Sequence, residues 1–484
     1  MDERFYDAPG KGIDAMPIRP LPEAPASVHI IGPAMVLVAL GVGLGETFLW
    51  PRLVLLFGPE IRWLFLVGVS LQAVVMLEMS RYAMATGESI FFGAARVFKP
   101  LMWFFFITAF LVYIWPGHMA AGATALEKVT GIPWLVSAII GLISIGVIFS
   151  FAKTVYNLLE NLLSVLIGFL VVSSAITAAL VGNVADLVSS LTGLFNFGYF
   201  PAEAQSAEFF PVVVGAIAFA GPSGMQQMWY TLWLRDKGSG MGVHLPAIKG
   251  LAHSDEEAKM PSRGFMFDTS DDDEMRKWKG WRSWVTVDAL VLFWGITMLV
   301  TVIFTILAQA AAREEPNVRE LIRTGERDVA LEAMAGAFAS AGGEILGTLF
   351  FLMISVVGWK GSMGIFDAFS RGQADMTYFF IPGAQRFKMG HIYFAWLWGV
   401  ILFGIVTLLT MGETDGPEQI LDVLAFLSTF AMGAYCVVLL LVNNIVLPKR
   451  IRPNMLVNGI LAFGAFFYLG MLFYSLFRFG VVVG

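Results

Sequence analysis

The sequence predicts an all-α polytopic membrane protein of about eleven transmembrane helices, arranged as a 5+5 inverted repeat with discontinuous helices 1 and 6. The first observation behind this prediction is composition: 57% of the 484 residues are hydrophobic and 14% are charged, whereas soluble domains carry about 25% charged residues. The second is a recurrence of long apolar segments. The third is a pair of glycine-rich interruptions that lie five segments apart.

The apolar segments are each about 20 residues long, which is enough to cross roughly 30 Å of hydrocarbon. Because they recur from one end of the chain to the other, one membrane domain explains them better than several soluble domains do. We predict spans at residues 30–57, 61–83, 101–124, 133–152, 155–181, 209–234, 284–310, 343–369, 391–411, 418–446 and 455–480.

The polar segments predict the orientation. Residues 1–29 are polar and proline-rich and lack the pattern of a secretory signal, so we expect a loose cytoplasmic tail. That orientation puts most lysines and arginines on the inner side, many of them in a main cytoplasmic loop at 235–283. Within the loop, "DKGSGMG" (236–242) is typical of a flexible inner gate or loop, and the acidic residues of 268–281 predict a helix cap. The outer segment 312–341 is too polar to span and predicts a surface helix.

Two spans contain residues that oppose helix formation. The first carries Gly41, Gly43 and Gly45 beside Glu46, and the sixth carries "AGPSGMQQ" at 220–227. Non-helical backbone at membrane depth is tolerated where it is buried in protein or lines a cavity. Paired interruptions of this kind are the best sequence indication of an inverted-repeat secondary transporter with its substrate at the midplane. A single break is more often a packing notch or a kink, so the pairing carries the prediction.

This pattern divides the chain into domains. Residues 30–181 form the first five-helix repeat, residues 209–446 form the second with its cytoplasmic loop, and residues 455–482 add one C-terminal helix.

Several motifs in the first six spans resemble a known family. "GPAMVLVALGVGLGETFLW" from Gly32, "LEMSRYAMATGES", "AAGATALEKVTGIPWLVSAIIGL" at 120–142 and "YNLLENLL" at 156–163 are similar to the opening helices of the Nramp family of divalent-metal transporters. The resemblance implies a leucine-transporter-like fold with transport of a divalent metal. Beyond the sixth span only the spacing of the predicted helices along the chain is similar.

The chain departs from that family at its metal-binding motifs. A gapless alignment from Gly32 places the family's Asp-Pro-Gly-Asn on residues 43–46, so the aspartate is lost and Glu46 stands at the place of the asparagine. The Met-Pro-His-Asn of the sixth helix has no clean counterpart, since Phe219 or Met225 can be aligned with its methionine. The chain therefore resembles a diverged branch, and the metal selectivity of the family does not transfer to it.

The residues themselves suggest a cation site. A carboxylate at the bilayer centre is costly and calls for a partner, so we expect Glu46 to meet a cation. Oxygen ligands with one carboxylate suit magnesium or manganese, and a methionine thioether would favour the softer ions. The predicted metal ligands are Glu46, Gly43, Ser223, Met225, Gln226 and Gln227, with carbonyls freed near residues 39–43 and 218–221.

Proton coupling is a second expectation for the same carboxylate. Glu46 could exchange a proton for the metal, and His118, which lies inside the third span beside a proline, is a candidate relay. A packing role for His118 is equally compatible with the sequence. In the eighth span we expect Asp367 to pair with a basic residue near the inner interface.

The predicted function is a secondary active transporter for a divalent cation, with protons and the lipid bilayer as its other partners. The alternative within transport is an organic-cation or amino-acid carrier of the same fold, in which Glu46 would meet an ammonium group. A membrane-embedded enzyme or ligand sensor is disfavoured, because Glu46 is the one central ionisable group that the sequence indicates. We expect no cofactor, no nucleic-acid partner, a plausibly monomeric state and a bacterial inner membrane.

Overall fold

The described residues of all eleven predicted spans are mainly helical in the computed structural model. The structure describes residues 4–10, 12–25, 33–43, 45–222, 224–318, 320–321, 327–411 and 417–479. Eight of the described helices are long and apolar enough to cross a membrane, and a bent pair at the first span makes a ninth. The fourth span is a shorter apolar helix, and the sixth consists of two short helices. The prediction of a polytopic helical membrane protein is confirmed.

The described residues of the first half of the chain form ten α-helices. They are α1 (Pro33–Gly41), α2 (Trp50–Phe57), α3 (Trp63–Thr86), α4 (Ile90–Val97), α5 (Pro100–Tyr113), α6 (Gly117–Thr130), α7 (Trp134–Ser150), α8 (Val155–Val181), α9 (Val184–Thr192) and α10 (Phe210–Ala218). A π-helical turn, Gly45–Leu49, leads into α2.

The second half contains eight described α-helices. They are α11 (Gln226–Asp236), α12 (Asp272–Val287), α13 (Ile296–Glu314), α14 (Arg327–Gly342), α15 (Glu344–Phe380), α16 (Met389–Met411), α17 (Pro417–Ile445) and α18 (Met455–Phe479). A π-helical segment, Asp288–Gly295, joins α12 to α13 within the seventh span. Helix α14 lies in the polar segment 312–341, for which the sequence predicted a surface helix.

The eighth span occupies the middle of the packing. Helix α15 runs eleven residues beyond the predicted end at 369 and contacts α1, α5, α6, α8, α11, α14 and α16. Small residues permit these contacts, since a Cβ atom on Gly122 of α6 would lie 2.8 Å from the Ser355 carbonyl oxygen. Large apolar side chains such as Val165 and Phe466 are at least 70% exposed on the outer helix faces, as expected for a surface in contact with lipid.

The N-terminal tail is ordered in the described ranges 4–10 and 12–25, so the prediction of a loose tail is wrong there. Strands β1 (Phe5–Tyr6) and β2 (Met16–Pro17) pair antiparallel. The Arg19 N–H donates to the Met266 carbonyl of the loop at 2.8 Å, and the Leu21 N–H donates to the Glu274 carboxylate at 2.6 Å. These bonds hold the tail against the loop, and the low apolar content of the tail gave no indication of them.

The loop between α11 and α12 is also packed, contrary to the predicted flexible segment at 236–242. Gly240 has a φ of +56° and is buried where a Cβ atom would overlap the backbone of Met84. This close approach explains the glycine better than flexibility does. The predicted helix cap is confirmed, because the Asp271 carboxylate accepts a hydrogen bond from the Asp273 N–H at 2.8 Å at the start of α12.

Candidate functional site

The first span is broken where the sequence placed its glycines. Helix α1 ends at Gly41, and the chain bends by 49° before it continues through the π-helical turn into α2. Gly41 and Gly45 lie against the backbone of the sixth span, since added Cβ atoms would be 2.7 Å from the Pro222 nitrogen and 2.6 Å from the Phe219 oxygen, respectively. Only glycine allows the two breaks to meet backbone to backbone.

The sixth span is broken between α10 and α11. Gly221 has a φ of +113° and Gly224 a φ of +55°, which are left-handed values that favour glycine. The Gly221 position is also crowded, because a Cβ atom there would lie 2.8 Å from Oε1 of Gln72 on α3. The two predicted breaks therefore form one buried centre.

Glu46 joins the two breaks. Its side chain is fully buried; Oε2 accepts a hydrogen bond from the Gly43 N–H at 3.0 Å and Oε1 accepts one from the Gly221 N–H at 2.6 Å. Unwound helix segments offer unpaired N–H groups, and a carboxylate satisfies them with strong, charge-assisted bonds. Glu46 thus binds the protein's own amides with both of its oxygens.

Lys360 of α15 binds backbone carbonyl groups of the same break. Its ammonium donates to the carbonyl oxygen of Ala39 at 2.7 Å and to that of Val42, and the side chain is fully buried. Lys360 and Glu46 bind opposite ends of one peptide group, the Val42 carbonyl and the Gly43 N–H. The carbonyls that the sequence predicted as metal ligands near residues 39–43 therefore hold an ammonium group.

Three glutamines lie on the other side of the centre. Gln72 donates through Nε2 to the Ala218 carbonyl at 3.0 Å, and its Oε1 accepts from Nε2 of Gln227 at 3.1 Å. Within the described part of the chain, Oε1 of Gln226 and Oε1 of Gln227 are buried without a hydrogen-bond partner. Nε1 of Trp229, on the same helix, is also among the buried polar atoms without a partner in the described residues. Buried polar atoms are usually paired, so these three groups can hydrogen-bond a ligand.

An aromatic pair borders the break at the start of α11. The Tyr113 and Trp229 rings meet edge to face with centroids 4.8 Å apart, and the Tyr113 hydroxyl accepts from the Met225 N–H at 2.9 Å. Both rings are buried. Trp229 follows Gln226 and Gln227 at the start of α11, so the aromatic pair and two of the glutamines belong to the same end of that helix.

The predicted site residues take different positions. Ser223 lies outside the described residues. Gly43 contributes its N–H to Glu46, and Met225 is buried and contributes its N–H to Tyr113. The ring of His118 packs against Gly361, where a Cβ atom would lie 3.0 Å from Cδ2. In the described ranges the structure contains no group of three or more His, Cys, Asp or Glu side chains that could hold a metal.

Sequence reasoning missed Lys360, Gln72 and Tyr113 as parts of this centre. Each lies in an apolar span, and a lysine or glutamine within such a span is itself a signal of function. The sequence also contained Asp288, which is fully buried and accepts hydrogen bonds from the Ala34 N–H at 3.1 Å and from the Tyr230 hydroxyl at 3.2 Å. It anchors the start of α1.

A second cluster, of buried charged side chains, lies between α11 and α15. The Arg371 guanidinium pairs with Asp367 at 2.8 Å and with Asp236, while Arg235 pairs with Asp375. All five side chains are buried. The predicted pairing of Asp367 with a base is confirmed.

Comparison with known proteins reveals structural neighbours. No protein-family model matches the chain, and no curated protein matches it. Two variant structures of the Eremococcus coleocola manganese transporter superpose with TM-scores of 0.62 and 0.63, at 12% and 13% identity, and cover 94% of this chain and 90% of that one. Mhp1, a nucleobase-cation-symport-1 family transporter in a closed conformation with bromovinylhydantoin bound, superposes with a TM-score of 0.53 at 12% identity and covers 93% of each chain.

These likenesses extend over nearly the whole length of both chains. At such low identity they show the fold, which is the leucine-transporter-like fold with discontinuous helices 1 and 6. The predicted fold class is confirmed. The Nramp branch itself has no matching family model.

Proposed function

We propose that this chain is a secondary active transporter that carries a small polar organic solute through the membrane by alternating access. The fold supports transport, because both broken spans meet at a buried centre, which is where transporters of this architecture bind their substrates. The predicted alternative was an organic-cation or amino-acid carrier; the proposal extends that alternative to neutral polar solutes and makes the metal ion the second candidate.

One observation carries the choice of substrate. Among the described residues, the buried Oε1 atoms of Gln226 and Gln227 have no partner, and each can accept a hydrogen bond from an N–H or O–H group. The neighbouring Tyr113 and Trp229 rings offer flat apolar faces. A solute with hydrogen-bond donors and a planar or compact apolar part, such as an amide, a urea or a heterocycle, fits this lining.

The charges argue against a bare divalent ion. The carboxylate of Glu46 is already bound to two amides, and the Lys360 ammonium binds the carbonyls of Ala39 and Val42 in the same break. A divalent cation at the same break would face that ammonium in a low-dielectric interior, where like charges repel strongly. A neutral solute meets no such barrier.

A divalent metal is the second candidate, and one of the two structural neighbours described above supports it. The manganese transporter of Eremococcus coleocola covers 94% of this chain, and the unpaired glutamine oxygens and the Met225 thioether are ligand types that suit manganese. This candidate requires that Lys360 leave the break when the metal enters.

Binding followed by uptake tests the proposal. The purified protein is first screened by thermal unfolding against neutral amides, ureas, heterocycles, amino acids and amines, and against manganese and magnesium. A labelled form of the best ligand is then taken up into proteoliposomes. We expect an organic solute to raise the unfolding midpoint and to be transported, with uptake reduced at least about fivefold by Gln226→Leu or Gln227→Leu, since a buried donor left without its partner costs about 1–3 kcal/mol.

Gln205→Leu serves as the control, because Gln205 is an exposed glutamine outside the spans. It should leave uptake unchanged. Transport of manganese or magnesium by the wild type, without any stabilising organic solute, would overturn the first candidate and establish the second.

Orientation, location and coupling are parts of the proposal. The N-terminal tail pairs with the loop between α11 and α12, so both lie on one face, and we assign that face to the cytoplasmic side. We place the protein in a bacterial inner membrane. Proton coupling through Glu46 and His118 stays a prediction, and a dye that reports internal pH during uptake tests it.

A further inference from the structure

The ammonium of Lys360 occupies the carbonyls that the first break exposes. It donates to the oxygens of Ala39 and Val42. In transporters with broken helices, carbonyls freed in this way coordinate the co-transported cation, and freed amides hold the anionic group of the substrate. We infer that Lys360 is a tethered cation that fills the ion site of this transporter, so that the chain needs no bound sodium or metal ion at the break.

The packing of α15 places the lysine there. Gly358 and Gly361 lie against α6, where added Cβ atoms would overlap the His118 carbonyl and approach the His118 ring, and Gly364 lies against Leu40 of α1. These three glycines let α15 approach both helices closely. Lys360 stands between them in sequence and reaches the backbone of α1 across this short gap.

Side chains of the protein bind both the amides and the carbonyls of the break, so no ion from solution is required. Glu46 accepts from the amides of Gly43 and Gly221, and Lys360 donates to two carbonyls. Both side chains are fully buried, and a lone buried charge is costly whereas a pair with further hydrogen bonds is tolerated. The two side chains thus take the roles of the substrate anion and of the coupling cation.

The consequence is a difference in ion requirement. Wild-type protein should show no specific response to sodium, lithium, manganese or magnesium at this position, because the carbonyls are taken. Removing the ammonium should create a vacant site for a small cation. This inference rests on the proposed function only in placing the break on the transport path, and its test requires no substrate.

The experiment measures the thermal unfolding midpoint of the full-length protein in detergent at constant ionic strength, with choline chloride as the reference salt. Lys360→Ala removes the ammonium and leaves space. We expect its midpoint to be lower than that of the wild type and to rise by at least about 2 °C with methylammonium or sodium. Lys360→Met fills the space with an uncharged chain, so the same salts should produce no rise.

Lys153→Ala is the control, because Lys153 is exposed, and it should match the wild type in every salt. A double variant keeps the test decisive if Lys360→Ala proves too unstable to purify. Glu46→Gln combined with Lys360→Met should unfold at a higher temperature than Lys360→Met alone, since it leaves no single buried charge.

Two results would overturn the inference. One is a sodium- or metal-specific stabilisation of the wild type that Lys360→Met abolishes, because it would place the ion beside the lysine. The other is a Lys360→Met variant as stable as the wild type together with a double variant that is no more stable. Neither result bears on whether an organic solute is transported, so the inference and the proposed function fail separately.

Discussion

Glu46 of the first broken span accepts a hydrogen bond from the backbone N–H of Gly221 in the sixth, at 2.6 Å. The two residues are 175 positions apart in sequence and belong to different broken spans. A second bond joins Glu46 to the Gly43 N–H at 3.0 Å. The carboxylate therefore couples the two breaks, which alternating-access transporters use to hold the substrate.

Replacing this carboxylate should both destabilise the protein and abolish transport. Glu46→Gln turns one oxygen into an NH₂ group that faces an N–H donor, and Glu46→Ala removes both acceptors. Because a hydrogen bond to a charged group is worth about 1.5–3 kcal/mol, we expect a clearly lower unfolding midpoint for both variants. Thermal unfolding in detergent measures it, with the exposed Glu344→Gln as a control that should not change.

The close contact of the two breaks depends on Gly41. A Cβ atom there would lie 2.7 Å from the Pro222 nitrogen, so Gly41→Ala should push the spans apart and remove uptake. Gly168→Ala is the matched control, since Gly168 lies in α8 with nothing within 4 Å of a Cβ atom. Alanine favours a helix over glycine by up to about 1 kcal/mol, so the control should be at least as stable as the wild type. Equal uptake by the two variants would contradict the close contact.

The buried charge cluster should be sensitive to the loss of its cation. Arg371→Met leaves Asp367 and Asp236 buried without their shared partner. Removing one member of a buried ion pair costs about 3–5 kcal/mol. We expect a large fall in unfolding free energy, measured by denaturant or thermal unfolding. Arg4→Met breaks a pair with Asp268 in which the arginine side chain is 69% exposed, and such pairs contribute about 0–1 kcal/mol.

The ordered tail should resist hydrogen exchange. The Leu21 N–H donates to the Glu274 carboxylate at 2.6 Å, and the Arg19 N–H donates to the Met266 carbonyl. Exchange measured by mass spectrometry should show protection of this segment in the wild type, since these amides are bonded rather than solvated. Glu274→Ala should increase exchange around Leu21. The exposed Glu256→Ala on the same loop should leave it unchanged, and rapid exchange of the wild-type segment would refute the docked tail.

Much of the fold could be predicted because its signals are local. Span length and apolar content depend on bilayer thickness, and the glycines at 41, 43 and 45 and the "AGPSG" segment oppose helices wherever they occur. The prediction for the tail was wrong because its signals are not local. Its stability comes from bonds to Met266 and Glu274, which leave no periodic pattern in residues 1–29.

The sequence by itself determined a membrane protein of about eleven helices, the two breaks and the central carboxylate of Glu46. Only the tertiary structure decided what that carboxylate meets. Lys360 and Ala39, which are 321 residues apart, come together because small residues let α15 pack closely against α1 and α6. Such contacts depend on which helix faces pair across the whole chain, and helical periodicity within one span contains no information about its neighbour in space.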